Sequence, residues 1–296
     1  MAETMRFVKM HGTGNDFVVL ASPPQEADWP EWARRICDRH FGVGADGLIF
    51  AQPSATADLR MRMFNPDGSE AEMCGNGIRC FTKFVLESGQ IDKRRTPLKV
   101  EMSAGLITVW PRWADGRVTH VRVGMGQPRF APRQMPVSLP GALGSSKGPV
   151  LDYPLDVGGH RLKLTFVSMG NPHAVHFLEG EEAFPLLEVG PQVERHPLFP
   201  RRTNFEVVRL AGEGRLRAWV WERGAGPTLA CGTGACAVMA AAHVKGIVGQ
   251  KARVEMPGGP LAVEWDGRGE VFLTGPAETV YEGVLRPEAL GLKAHA

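Results

Sequence analysis

Two cysteine–glycine turns, Met73-Cys74-Gly75-Asn76-Gly77 and Ala230-Cys231-Gly232-Thr233-Gly234, stand 157 positions apart (231 − 74). Each follows a strand-like run and leads into a helix-like one. A cysteine at a helix start sits where unpaired N–H groups and the helix dipole favour negative charge, which is expected to lower its pKa from ~8.5 toward neutrality. Glycines beside it let the backbone amides close on a carboxylate. Thiol and anion cradle together suit removal of the α-proton of an amino acid. Two of them suit taking a proton from one face of a carbon and returning one to the other. Small buried cysteines at two helix starts would explain neither the glycines nor the repetition.

Further polar residues gather in three clusters. His11-Gly-Thr-Gly-Asn15-Asp16-Phe17 is a glycine-rich loop between strands, Ser168-Met-Gly-Asn171-Pro172-His173-Ala174 follows a strand, and Arg202-Thr203-Asn204-Phe205 opens another. Glu222-Arg223 directly precedes the second thiol turn. An arginine there is able to grip a carboxylate in bidentate fashion, and Glu222 and His173 are able to set which thiol ionises. Zinc is a poor fit: five residues separate Cys74 from Cys80 and four separate Cys231 from Cys236, and each second ligand would lie inside a helix. Cys37, Cys80 and Cys236 read as core thiols, and no metal is expected.

Stepping the alignment by the same interval brings the positioning elements into register. Arg60–Phe64 falls on Arg217–Trp221 as a strand, Ile78–Leu86 on Ala235–His243 as a helix, and Gly89 on Gly246 as its stop. The chain therefore reads as two homologous α/β halves. Other strands are expected at Arg6–Met10, Phe17–Leu20, Leu48–Ala51, Leu106–Trp110, Val118–Val123, Leu162–Val167, Phe205–Leu210, Val254–Met256, Leu261–Trp265 and Val271–Thr274, with hairpin turns at Asp115-Gly116 and Asp266-Gly267. Two more helices are expected near Trp32–His40 and Glu181–Leu187. Proline-rich Gln127–Pro136 marks the crossover, giving an N-terminal half at 1–130 with a C-terminal return at 276–296, and a second half at 131–275.

Composition narrows the function classes. A formal charge of +2 with scattered arginines gives no basic face for nucleic acid. Nothing approaches the ~18 apolar residues that span a bilayer, and the opening residues do not read as a signal peptide. Five cysteines, an odd number, argue against a disulfide framework and for a reducing cytoplasm.

Taken together, these residues resemble the diaminopimelate epimerases. The resemblance runs in order from Phe7–Phe17 through Gly42–Leu48, Asn65–Glu70 and both thiol turns. It also takes in Ser168–His173, Arg202–Asn204, Glu222–Gly226 and the closing Thr274-Gly-Pro-Ala277 with Tyr281. It implies an α/β (α+β) fold of two pseudo-symmetric domains, each a mostly antiparallel or mixed sheet around a central helix, with the active site in the cleft between them. It implies interconversion of LL- and meso-diaminopimelate for lysine and cell-wall precursor synthesis, without pyridoxal phosphate or metal. Cys74 and Cys231 would be the acid–base pair, with His173 and Glu222 adjusting their ionisation. Gly75, Asn76, Gly232 and Thr233 would cradle the reacting carboxylate, and Asn15, Asn65, Asn171, Asn204, Glu222 and Arg223 would contact substrate. Some members carry Gln where this chain has Gly47, so binding there would fall to backbone. The family also suggests a homodimer, with Tyr281 as an anchor. A related racemase acting on proline, hydroxyproline or histidine is the alternative, although Asn76, Asn204 and the Glu222-Arg223 pair depart from that pattern. A thiol redox or metal-binding protein is the rival of a different class.

Overall fold

The computed structural model describes residues 4–21, 23–24 and 26–292. Two compact units divide the chain, residues 1–123 with 275–296, and residues 124–274. The first contains β1 (Met5–Gly12), β2 (Asn15–Leu20), α1 (Trp29–Cys37), β3 (Gly47–Gln52), β4 (Leu59–Phe64), α2 (Gly75–Glu87), β5 (Leu98–Met102), β6 (Gly105–Ala114) and β7 (Arg117–Gly124). The second contains α3 (Gly141–Gly144), β8 (Tyr153–Val157), β9 (His160–Ser168), β10 (Pro172–Phe177), α4 (Leu186–Glu194), β11 (Asn204–Leu210), β12 (Arg215–Glu222), β13 (Gly226–Thr228), α5 (Gly232–Val244), β14 (Lys251–Met256), β15 (Gly259–Glu264) and β16 (Phe272–Pro276). A final strand, β17 (Glu278–Leu285), returns to the first unit.

In the first unit the strands pair in the order β17-β1-β2-β3-β4-β5-β6-β7. Of these pairings, β2–β3 and β4–β5 are parallel and the others antiparallel. In the second the order is β8-β9-β10-β11-β12-β14-β15-β16, with β10–β11 and β12–β14 parallel and short β13 added to β12. The two sheets thus repeat one topology strand for strand. The repeat holds at residue level: Leu48 pairs with Phe64, and Phe205 with Trp221, each residue displaced by the interval that separates the cysteines.

Each unit buries one helix against its sheet and lays another outside. Every residue of α2 from Gly75 to Leu86 is buried, and α5 is a run of small apolar residues, Ala235-Cys-Ala-Val-Met-Ala-Ala-Ala242, buried on all sides. A helix apolar all round has no solvent face, and small side chains let the strands close on it. Gly89 (φ 76°) and Gly246 (φ 73°) end these helices in the left-handed conformation that glycine adopts without penalty. The outer helix α1 buries Trp29, Trp32, Ala33, Ile36 and Cys37 on one stripe.

Several elements differ from the sequence reading. Helix α1 begins and ends earlier than Trp32–His40, because the Asp28 carboxylate caps it by accepting from Glu31 N at 3.2 Å. Asp38 then accepts from His40 N at 2.8 Å and Phe41 N at 2.7 Å, which folds those residues into a turn. Helix α4 lies later than Glu181–Leu187; buried Val189 and Val193 hold it despite Pro191 inside. Asp115-Gly116 is the β6–β7 hairpin turn, but Asp266-Gly267 lies in a longer loop. There Asp266 accepts from Arg268 N at 2.9 Å and Gly269 N at 2.7 Å. Strands β5, β8, β10, β13 and β17 were not expected; β13 has only three residues, and β8 and β17 lie at sheet edges, where β17 leaves Val280, Tyr281 and Val284 exposed along with its polar residues. Among the described residues, no helix is long and apolar enough to cross a membrane.

Candidate functional site

Each repeated cysteine is the residue that caps its buried helix. Cys74 is extended (φ −143°, ψ 108°), and its sulfur accepts from Gly77 N at 3.3 Å. Cys231 is extended (φ −123°, ψ 118°), and its sulfur accepts from Gly234 N at 3.3 Å. A thiol thus stands where Ser or Asp usually takes up an orphan first-turn amide. The remaining amides of the first turn belong to Gly75 and Asn76 in one unit and to Gly232 and Thr233 in the other.

Around Cys74 the first unit assembles a polar network. Residues Thr13 (φ 52°) and Gly14 (φ 82°) turn β1 into β2 and set Asn15 at the start of the second strand. Asn15 Oδ1 lies 3.9 Å from the Cys74 sulfur and accepts from Asn76 Nδ2 at 3.3 Å. Its amide nitrogen donates to Asp46 Oδ2 at 2.8 Å. Beneath the turn lies Arg79, fully buried. It donates to Gly75 O and Asn76 Oδ1, both at 2.9 Å, to Thr13 Oγ1 at 3.2 Å and to Pro276 O at 3.0 Å. One guanidinium therefore ties the thiol turn, the strained Thr13 and the returning chain together. Asn65 belongs to a separate turn, donating to Ser69 Oγ at 2.9 Å. Gly47 opens β3 opposite Phe17, and Met63 and Phe17 fill the space a side chain would need.

The second unit joins four of the candidate residues in one chain of contacts. The Cys231 sulfur lies 3.4 Å from Thr233 Oγ1, which accepts from Asn171 Nδ2 at 3.2 Å. Asn171 Oδ1 meets His173 Nε2 at 2.9 Å, and His173 Nδ1 meets Glu206 Oε1 at 2.6 Å. Both His173 and Glu206 side chains are fully buried. Asn204 donates to Pro172 O at 3.0 Å and accepts from Arg223 N at 2.8 Å. Glu222 accepts from Thr228 Oγ1. Glu194 fixes the turn that follows, accepting from Trp221 Nε1 at 2.8 Å and Gly224 N at 2.9 Å. Burial pushes its carboxyl up, but these donors and Arg202 outweigh that and hold it below the usual range.

The expectation of lowered thiol pKa values fails at Cys231. Burial first, then the charge of Glu222, push this thiol well above its ordinary range, and the Thr233 hydroxyl and Gly234 amide do not offset them. The helix-start field is a fraction of a charge, whereas desolvation of a thiolate acts on a full one. Burial likewise pushes Cys37 and Cys80 up to about 12. Sequence reasoning missed Arg79, Glu194 and Glu206. For Arg79 and Glu206 the one signal was a charged residue inside an otherwise apolar run, Gly77-Ile-Arg79-Cys-Phe and Asn204-Phe-Glu206-Val-Val; Glu194, in Gln192-Val-Glu194-Arg-His, had none.

Comparisons with known proteins identify the family. The profile of the Diaminopimelate epimerase family matches residues 7–131 and 165–280. A diaminopimelate epimerase from Desulfitobacterium hafniense is 48% identical over 290 residues, covering 97% of this chain and 100% of its own length. One from Moorella thermoacetica is 49% identical, covering 94% and 98%. Among solved structures, a hydroxyproline epimerase from Agrobacterium vitis superposes with a TM-score of 0.68 at 20% identity over 95% of this chain and 91% of its own. A PhzF-family phenazine biosynthesis protein from Bacillus anthracis gives 0.69 at 18%, over 96% and 99%. At such identities these two carry the fold alone, so the sequence relatives decide between the epimerase and the proline-type alternative. With the matched profile and relatives near half identical over almost the whole length, the chain belongs to the diaminopimelate epimerase family.

Proposed function

We propose that the protein interconverts LL- and meso-2,6-diaminopimelate by a two-base mechanism in which Cys74 and Cys231 are the acid–base pair. The observation that carries this reading is the duplicated cap: two thiols, each accepting from the amide three residues on at the start of a buried helix. One sulfur begins as thiolate and takes the α-proton, forming an S–H bond as the C–H bond breaks. The other thiol gives its proton to the opposite face, so its S–H bond breaks as a new C–H bond forms. The centre is inverted, the number of protons is unchanged, and the two sulfurs have exchanged ionisation. No electron acceptor is required, because the charge that develops is held on the substrate carboxylate. Amides of Gly75, Asn76, Gly232 and Thr233 stabilise that charge. Closure against water strengthens the effect.

The other side chains position the substrate in this scheme. Asn15 and Asn76 face the Cys74 side, while Asn171 and His173 hold Thr233 beside Cys231. Asn65, Asn204, Glu222 and Arg223 bind the distal amino-acid head, with Arg223 taking its carboxylate, and backbone at Gly47 contributes in place of a side chain. Glu222 and His173 adjust thiol ionisation. The two compact units serve as the two epimerase halves. The enzyme works in the cytoplasm, where its thiols stay reduced, and supplies lysine and cell-wall precursors. A homodimer forms through β17, where Val280, Tyr281 and Val284 are 55%, 46% and 59% exposed.

Incubation with LL-diaminopimelate in deuterated water tests the reading. Wild type should place one deuterium at the inverted α-carbon and approach a mixture with the meso isomer. Cys74→Ala and Cys231→Ala should each fail to invert from either isomer. Normal turnover in either variant would end the two-base scheme.

A further inference from the structure

The internal duplication lets each half serve as a control for the other. The interval between the cysteines also equates Gly77 with Gly234, Ile49 with Glu206 and Arg79 with Cys236. Strand pairing equates Phe17, opposite Gly47, with His173, opposite Asn204. Beneath the first thiol turn this floor is apolar: a Cβ on Gly77 would lie 3.1 Å from both Ile49 Cδ1 and Met61 Cε. Beneath the second, a Cβ on Gly234 would lie 3.0 Å from Glu206 Oε1 and 3.4 Å from the Cys231 sulfur. A Phe–Ile pair in one half has become a bonded His–Glu pair in the other. Two residues further on the exchange runs the other way. The first half buries the guanidinium of Arg79 against Gly75 O and Asn76 Oδ1, where the second buries the uncharged side chain of Cys236.

We propose that the halves have diverged into a base half and an acid half: Arg79 makes Cys74 the thiolate of the resting enzyme, and Glu206, held by His173, keeps Cys231 the thiol. The inference rests on the two-thiol reading and adds the order of ionisation, with Arg79 and Glu206 as positioning residues that act through the sulfurs.

Charge and geometry agree on this order. Arg79 is a permanent cation, buried and bonded to Gly75 O and Asn76 Oδ1 in the turn that begins at Cys74, and a buried cation in that position favours a thiolate there. The other charged groups near the first turn are of both signs: Lys9 and Arg39 bind Asp16, Arg39 also binds Asp46, and Glu72 stands two residues before Cys74. Facing Cys231 are Glu206 from β11, Glu222 from β12 and His173 from β10, two acids and one imidazole. Asn171 Oδ1 and Glu206 Oε1 hold the two ring nitrogens of His173, and Glu206 Oε1 and the Cys231 sulfur both lie against Gly234. A buried carboxyl oxygen there is a poor neighbour for a thiolate. Glu206 Oε2 is buried and has no hydrogen-bond partner among the described residues, an arrangement suited to a carboxyl whose pKa burial raises.

Alkylation of the full-length enzyme with iodoacetamide across a pH series, mapped by peptide mass spectrometry, reads both thiols separately. Midpoints are compared rather than rates, because Cys231 is only 5% exposed. Cys74 should titrate at the lower pH. Glu206→Gln should bring the Cys231 midpoint down by about one unit or more, roughly tenfold more thiolate at a given pH below it, and leave Cys74 unmoved. Arg79→Met should raise the Cys74 midpoint and leave Cys231 in place. If Glu206→Gln does not fold, His173→Phe/Glu206→Ile, which copies the first half's own pair, supplies the same comparison. Cys231 titrating first in wild type, or midpoints that ignore these substitutions, would overturn the assignment. A reversed order with both Cys→Ala variants inactive would sink only this inference, whereas turnover surviving in either would sink the two-base reading beneath it.

Discussion

A serine in place of either capping cysteine keeps the cap and loses the base. Its hydroxyl still accepts from the Gly77 or Gly234 amide, so thermal unfolding of Cys74→Ser and Cys231→Ser should stay close to wild type. Turnover should fall by about 10²–10⁴-fold, the usual contribution of a positioned acid or base. Initial rates and melting curves on the same samples check this; parallel loss of both would point to a packing role instead. The pH profile of kcat/KM should be bell-shaped, its acid limb reporting protonation of the Cys74 thiolate and its alkaline limb ionisation of Cys231. Because burial raises the Cys231 pKa, the alkaline limb belongs above the ordinary thiol value of ~8.5. The same shift makes Cys231 favour the fold at low pH, a contribution lost as pH rises through the folded-state pKa. At this scale the cysteines were legible because residue type, glycine context and repetition coincide. Arg79 and Glu206 were not, since one charged residue in an apolar run reads as a solvent-facing position until the fold shows what covers it.

Elements set the tolerance around each thiol. A methyl on Gly77 meets the ends of Ile49, Met61 and Met63 at 3.1–3.2 Å, and flexible side-chain ends can yield. A methyl on Gly234 meets Glu206 Oε1 at 3.0 Å and Cys231 Cβ at 3.2 Å, one held by His173 and the other part of the turn. Gly234→Ala should therefore destabilise by the ~1–3 kcal/mol typical of overpacking, with Gly77→Ala near the lower end. Denaturant unfolding of the two variants decides; equal losses would contradict the asymmetry. Glu194, at the end of α4, fastens the turn that carries Arg223. Glu194→Gln removes charge-assisted bonds worth about 1.5–3 kcal/mol, and should raise KM for diaminopimelate about tenfold or more while kcat falls less. A fall in kcat alone would place Glu194 elsewhere in the mechanism. Helices α2 and α5 were readable from cap, apolar run and terminal glycine, whereas the bounds of α1 and α4 were misplaced. Asp28 and Asp38 decide the first by hydrogen bonds that hydrophobic pattern does not carry. Pro191 hid the second inside a run that propensity would have broken.

For the whole molecule, the repeat was legible before any coordinates because one interval fits strand, turn, helix and stop. Register confirms it down to the pairings Leu48–Phe64 and Phe205–Trp221. Edge strands were less legible: β17 exposes Val280, Tyr281 and Val284, an apolar face that hydrophobic pattern does not distinguish from a core face. Placing the dimer on that face predicts that Tyr281→Glu yields monomers in sedimentation velocity, and a dimer that persists would move the interface elsewhere. The central claim is that two sulfurs, one from each repeat, serve a single α-carbon. Mild oxidation followed by peptide mapping tests it most directly. The account predicts a Cys74–Cys231 disulfide, loss of turnover that tracks its formation, protection by substrate and recovery with dithiothreitol. An oxidised sample that retains full activity, or one in which these two cysteines never join, would contradict it.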